Sequence, residues 1–260
     1  MGVVLDDETR SDFRARGFVV LRAVFDPGPL SEEVDRALAD GLRASATDNN
    51  GSGGIEFRYV PMMCERTPVS MSLIDALAGT AAGLLSRAVL PMRAKGTHYF
   101  GGSEAHRDSE IDVASVGFLA YLEPLTAGSG ALRVRPGSHV SSASDTSDAL
   151  TEAVETRPGD VIALDEHLMH GSAGGRDRRQ WRVDFIVDPV DAAETARVRE
   201  CFSLTFPADW DGRYDVERYP SYGEYWRSAN RPWVERLREL GVYELAEVQE
   251  RASRRSQGSG

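Results

Sequence analysis

A chain of 260 residues with 41% hydrophobic content is long enough to bury one elaborated core. Its net charge of −11 argues against a nucleic-acid groove or an anionic membrane surface, since both require clustered cations; a small molecule is the better-fitting partner. Cys64 and Cys201 stand far apart without CxxC spacing, which removes a thiolate zinc site and a disulfide framework from the expected features; a cytoplasmic monomer or homodimer is expected.

Residues 6–16 read as a polar helix and "FVVLRAV" (18–24) as a strand. An amphipathic helix is predicted from Leu30 to Ala44, with Leu30, Val34, Leu38 and Leu42 at steps of four behind an acidic start of Glu32, Glu33 and Asp35. "TDNNGSGG" (47–54) is a loop by composition, and "PVSMSLIDALAGTAAGLLS" (68–86) a more buried helix, whose apolar run is too short and too rich in Gly and Ala to suggest a membrane span. From residue 89 the period changes. Runs at 89–100, 113–124, 131–140, 159–167 and 179–189 are rich in β-branched and aromatic residues and bounded by Gly/Pro turns, which predicts a mainly β domain: a cupin-like jelly roll, or double-stranded β-helix barrel, with N- and C-terminal helices packed on it. Residues 191–252 return to helix as a cap. In it Tyr214, Tyr219, Tyr222, Tyr225 and Trp226 are expected to pack onto the barrel, with a substrate-covering lid as the alternative. One domain over 1–252 is expected, followed by a disordered tail at 253–260.

The chemistry-bearing stretch is "EAHRDSE" (104–110). On a strand, His106 and Asp108 would project to one side and present an imidazole and a carboxylate to one point. A third ligand is available in "ALDEHLMHGSAGG", as His167 or His170. Two imidazoles and one carboxylate leave positions open on a metal, an arrangement suited to ferrous iron and O₂ chemistry; zinc more often collects three histidines or thiolates.

Between these motifs lies "GSGALRVRPGSHV" (128–140), and near the start "SDFRARGFVVLRAVFDP" (11–27). Together, in order over about residues 8–188, they resemble the phytanoyl-CoA dioxygenase family of Fe(II)/2-oxoglutarate oxygenases. The resemblance implies a double-stranded β-helix holding iron inside one end, with His106, Asp108 and His170 as ligands. His170 is preferred over His167 because the family's distal histidine directly precedes a Gly/Ala-Ser pair, here Gly171 and Ser172, and the Ser172 position hydrogen-bonds the co-substrate. The implied activity consumes O₂ and 2-oxoglutarate, releases succinate and CO₂, and hydroxylates an unactivated C–H bond of a small metabolite; desaturation, ring closure and epimerisation are related outcomes. A non-catalytic or zinc-binding cupin-like module with the same His/Asp/His site is the alternative.

The far carboxylate of 2-oxoglutarate calls for a buried guanidinium. "GRDRRQWRVDF" offers four. Strand alternation groups Arg178 and Arg182 with Gln180 and Asp184, and Arg179 with Trp181, Val183 and Phe185. Arg178 and Arg182 are both candidates, Arg179 is the choice if the register is shifted, and Arg176 is assigned to a solvated cluster. Lys95, the one lysine in the chain, shares a strand face with Thr97 and Tyr99 leading toward His106, and this face is a candidate for holding co-substrate or substrate. An acidic chain without a basic patch is a poor host for coenzyme A, so an amine-bearing or neutral small metabolite is expected.

Overall fold

The computed structural model describes residues 5–42, 57–140, 149–172, 174, 177–205, 214–228 and 231–247. The loop expected at 47–54, Arg176 and the tail at 253–260 lie outside these residues. Helix α1 (Asp7–Arg16) is capped by the Asp6 carboxylate, which accepts from the Thr9 N–H at 2.7 Å, and it ends at Gly17 with φ +80°. Only glycine fits there: a Cβ would come within 2.6 Å of His139 and 2.7 Å of Leu168. Strand β1 (Phe18–Leu21) leads to α2 (Pro27–Gly41), which starts earlier than its apolar stripe suggests because Pro27 occupies the first turn behind Asp26. Glu33 is consequently inside the helix and buried, not part of an acidic first turn.

β2 (Phe57–Pro61) and α3 (Pro68–Leu85) follow. Thr67 makes no side-chain cap on α3. Glu33 of α2 supplies it instead, accepting from the Val69 and Ser70 N–H groups at 2.9 and 2.8 Å. By length and composition α3 is the one described helix that could cross a membrane, more than its Gly/Ala-rich run suggests, but 44% of the stretch is buried inside the molecule.

The β region comprises β3 (Val89–Tyr99), β4 (Ser103–His106), β5 (Ser115–Tyr121), β6 (Leu132–Val134), β7 (Glu152–Val154), β8 (Val161–Asp165), β9 (His170–Ser172) and β10 (Arg178–Val187). All pairings are antiparallel and form two sheets, a larger one ordered β1-β8-β5-β10-β3-β2 and a smaller one ordered β4-β9-β6-β7. This is the expected jelly roll, although among the described residues the sheets do not close into one hydrogen-bonded barrel. Helices α2 and α3 cover the outer face of the large sheet, burying Trp181, Val183 and Phe185 of β10 completely. A second apolar cluster, including Phe18, Leu119, Leu132 and Ile162, draws on strands of both sheets.

The C-terminal region contains α4 (Ala192–Thr205), α5 (Glu224–Ser228) and α6 (Pro232–Glu239). Tyr214, Tyr219, Tyr222 and Trp226 are buried, and the Tyr222 hydroxyl donates to the Met92 carbonyl of β3 at 2.6 Å. Tyr225, 46% exposed, does not join that layer. The aromatics therefore attach the cap to the sheet, and it is the end of α4, through Cys201, Leu204 and Thr205, that reaches the cavity described next.

Candidate active site

A cavity of about 500 Å³ opens on the inner face of the large sheet. His106 ends β4 and stands in register with His170, the first residue of β9; their rings are 4.4 Å apart. That close pairing depends on Gly171, since a Cβ there would lie 2.8 Å from the carbonyl oxygens of Ser103 and Glu104. Asp108 does not share a strand with His106 as the i, i+2 spacing suggests. It lies past the end of β4, where its N–H donates to the Glu166 carbonyl at 2.9 Å and turns its carboxylate back toward the two rings. Ligand atoms of His106, Asp108 and His170 all fall within 4.8 Å of one another.

Each imidazole is oriented from behind. Nδ1 of His106 lies 2.8 Å from the Glu104 carbonyl and Nδ1 of His170 lies 2.9 Å from the Leu168 carbonyl, so Nδ1 carries the proton and Nε2 presents a lone pair. These Nε2 atoms are 3.7 and 3.3 Å from the Asp108 oxygens. Two backbone-anchored imidazoles, each with a free Nε2, and one carboxylate make a donor set that fits ferrous iron, as metal-binding histidines commonly donate their second nitrogen to a carbonyl. His167 is placed differently. Its Nδ1 is 3.1 Å from Asp165 and its Nε2 2.8 Å from the Ile111 carbonyl, so both nitrogens are occupied away from the trio.

Behind Asp108 lies a buried charge cluster. Arg182 donates through Nη1 to Asp108 at 2.9 Å, through Nη2 to Glu166 at 2.9 Å and through Nε to Asp184. Arg93 also holds Asp184, at 3.0 Å, and reaches the Thr205 carbonyl of α4 at 3.1 Å. Burial alone would raise the Asp108 carboxyl, but Arg182, His170 and His106 outweigh it and hold Asp108 far below the usual carboxylate range. Glu166 is pushed up to about 8 by burial and by Asp184. The sequence offers no sign of Glu166 or Arg93, and it groups Asp184 with Arg182 without giving it a role. The i, i+2 relation of Asp184 to Arg182 on β10 signals their pairing, whereas nothing local to Glu166 or Arg93 announces their partners.

The four arginines near the distal histidine separate clearly. Arg179 faces outward to Glu123 and Asp35. Arg182 is fully engaged by three carboxylates. Arg178 is buried, and its Nη atoms donate to the Gly130 and Gly101 carbonyls, each at 2.7 Å, and to the Ser172 hydroxyl at 3.0 Å, while its Nε is buried without a hydrogen-bond partner. On β3, Lys95 and Tyr99 reach the cavity wall; Thr97 between them is completely buried, its hydroxyl unpartnered, in register with Gln180 of β10.

The model of the phytanoyl-CoA dioxygenase (PhyH) family matches residues 13–180. No curated protein matches the chain. Among solved structures, EvdO2 from Micromonospora carbonacea var. aurantiaca, complexed with 2-oxoglutarate, is 18% identical with TM-score 0.57, over 74% of this chain and 95% of that one. EctD from S. alaskensis, with 2-oxoglutarate and 5-hydroxyectoine, is 22% identical with TM-score 0.58, over 70% and 76%. EvdMO1 is 20% identical with TM-score 0.57 over 69% of this chain, which spans about half of that protein, 49%. At these identities the likeness is one of fold.

Proposed function

The chain belongs to the phytanoyl-CoA dioxygenase family, and from that premise we propose that it hydroxylates an unactivated C–H bond of a small metabolite in a reaction that turns 2-oxoglutarate and O₂ into succinate and CO₂. It is an iron- and 2-oxoglutarate-dependent oxygenase. His106, Asp108 and His170 would hold the iron, and Arg178 with Ser172 the far carboxylate of the co-substrate. Bound iron would supply O₂ activation coupled to oxidative decarboxylation of 2-oxoglutarate. The observation that carries the reading is the neighbourhood of two features in one cavity: a carbonyl-anchored His/Asp/His trio, and a buried guanidinium with an unpartnered Nε beside a serine hydroxyl. A structural zinc module needs the first and has no use for the second.

The protein's own contribution is placement and exclusion of water. The Nδ1 anchors fix the imidazole planes, and Arg182 clamps the orientation of the Asp108 carboxylate. That engagement leaves Arg182 no fork for 2-oxoglutarate and favours Arg178 for that role. The Thr97 hydroxyl, opposite Gln180, is assigned to the same co-substrate end. Apolar walls from Met92, Ile111, Leu119 and Leu132 would exclude water around a bound substrate, which strengthens charge-assisted contacts inside.

Anaerobic addition of Fe(II) and 2-oxoglutarate tests the reading, with a visible charge-transfer band as the expected sign of chelation. Asp108→Ala should lose the band and turnover while remaining folded. Arg178→Ala should raise the 2-oxoglutarate requirement by tens to thousands of fold, consistent with losing about 2–5 kcal/mol of a charge-assisted contact, and Arg178→Lys should not restore it. Wild-type protein that binds zinc but shows no response to 2-oxoglutarate would establish the cupin-like module instead.

A further inference from the structure

Lys95 is the cation in the cavity with no assigned work. It is 8% exposed and lines the cavity, yet among the described residues it has no hydrogen-bond or ion-pair partner; its ammonium stands 5.8 Å from the Phe57 ring centre and 5.7 Å from that of Tyr59. We propose that Lys95 is the substrate-recognition residue of this enzyme and that it binds a carboxylate on a small organic acid, an inference that rests on the oxygenase reading above.

Among the described residues, the carboxylates near Lys95 are bonded to arginines. Asp184 is taken by Arg93 and Arg182, and Asp108 and Glu166 by Arg182. A buried ammonium without a directly bonded anion is costly, and a ligand carboxylate in the cavity would relieve that cost. The residue type agrees with this role. The other 29 of the 30 Lys and Arg residues are arginines, which cannot shed their protons, whereas an amine can stay unpaired in an empty cavity by giving up its charge and regain it when an anion arrives. Burial, together with Arg93 and Arg182, pulls the Lys95 amine down to about 7, within reach of that exchange. One ammonium offsets the single charge of a carboxylate, whereas a phosphate, carrying about −1.5 to −2, would be left partly uncompensated.

The backbone of Lys95 is set apart from that of the co-substrate residues. Along β3 it pairs with Arg182, whereas Tyr99 pairs with Arg178, four residues and so about 13 Å further along the strand. Arg178 turns to Ser172 of the small sheet, and the Lys95 ammonium lies over Phe57 and Tyr59, the β2 partners of Tyr99 and Thr97. Arg178 and the iron would between them hold both ends of 2-oxoglutarate, which leaves Lys95 for a second acid. The expected substrate is therefore an acid, in place of the amine-bearing or neutral metabolite that overall charge suggests.

Because Lys95 is the only lysine, full-length protein made with side-chain-labelled lysine gives one ε resonance. With the site filled by Zn(II) and 2-oxoglutarate, acetate and hexanoate should move that resonance toward its charged position, and hexanamide and hexylamine should not. Lys95→Met should weaken hexanoate about tenfold or more and leave 2-oxoglutarate affinity within about twofold. The proposal is overturned if neither carboxylate moves the resonance, if hexylamine moves it equally, or if Lys95→Met weakens 2-oxoglutarate as Arg178→Ala does. A resonance that answers to carboxylates in a wild-type protein lacking the iron–2-oxoglutarate band would support the carboxylate site and sink the oxygenase reading alone.

Discussion

Toward the helices β10 turns Trp181, Val183 and Phe185; toward the cavity it turns Arg178, Gln180, Arg182 and Asp184, which are just as buried and mostly charged. On the helix face each large side chain stabilises the fold by about 1.5–3 kcal/mol through removal of apolar surface from water. On the cavity face desolvation of the charges costs free energy that their mutual attraction roughly offsets, and what remains is position. Between Gln180 and Phe185 the strand thus divides its labour by residue parity: odd positions hold the domain together and even positions hold the chemistry in register.

The sharpest way to break this division is Arg182→Met. It takes the guanidinium from Asp108 and Glu166 and leaves Asp184 to Arg93 alone, and should cost about 3–5 kcal/mol in urea denaturation as well as turnover. If stability were unchanged, the cavity face would be tolerating unpaired charge and the comparison would fail. Trp181→Phe probes the other face. Loss of the indole N–H bond to Ser70, 2.7 Å long, and of some volume should cost about 1–3 kcal/mol while leaving 2-oxoglutarate affinity untouched. The smallest effect is a pH dependence that apolar packing cannot produce. The Asp165 carboxylate raises His167, against burial, to about 9, so its contribution is complete below the unfolded value of 6.5 and is lost as pH rises from there through 9. Melting temperature should decline over that window in the wild type and lose that component in His167→Gln.

Much of this was legible in the residues. The alternation in "RQWRVDF" separates the two faces of β10 without any structure, and α1 and α3 lie within a residue or so of where their patterns place them. The convergence of His106, Asp108 and His170 was anticipated too, although Asp108 arrives by a turn past β4 and not along a strand. The short strands were hidden. β7 and β9 have three residues each, too few to display a period, and they exist only because distant partners supply their hydrogen bonds. Long-range charge pairing is equally invisible: Arg182 meets Asp108 across 74 residues of chain, and no spacing rule connects them.

Glu33 carries a consequence of its own. Its carboxylate, projecting from α2, occupies the first amides of α3 in an apolar layer. If either helix lifted from the sheet alone, it would strand an unpaired anion on one side or bare amide groups on the other. Burial pushes Glu33 up, so part of that anion's cost is already present in the native state and grows if the amides leave. The two helices are thereby one unit of local opening, joined by a side chain and not by the polypeptide between them, and thermal fluctuations that uncover the outer face of the large sheet must release both together.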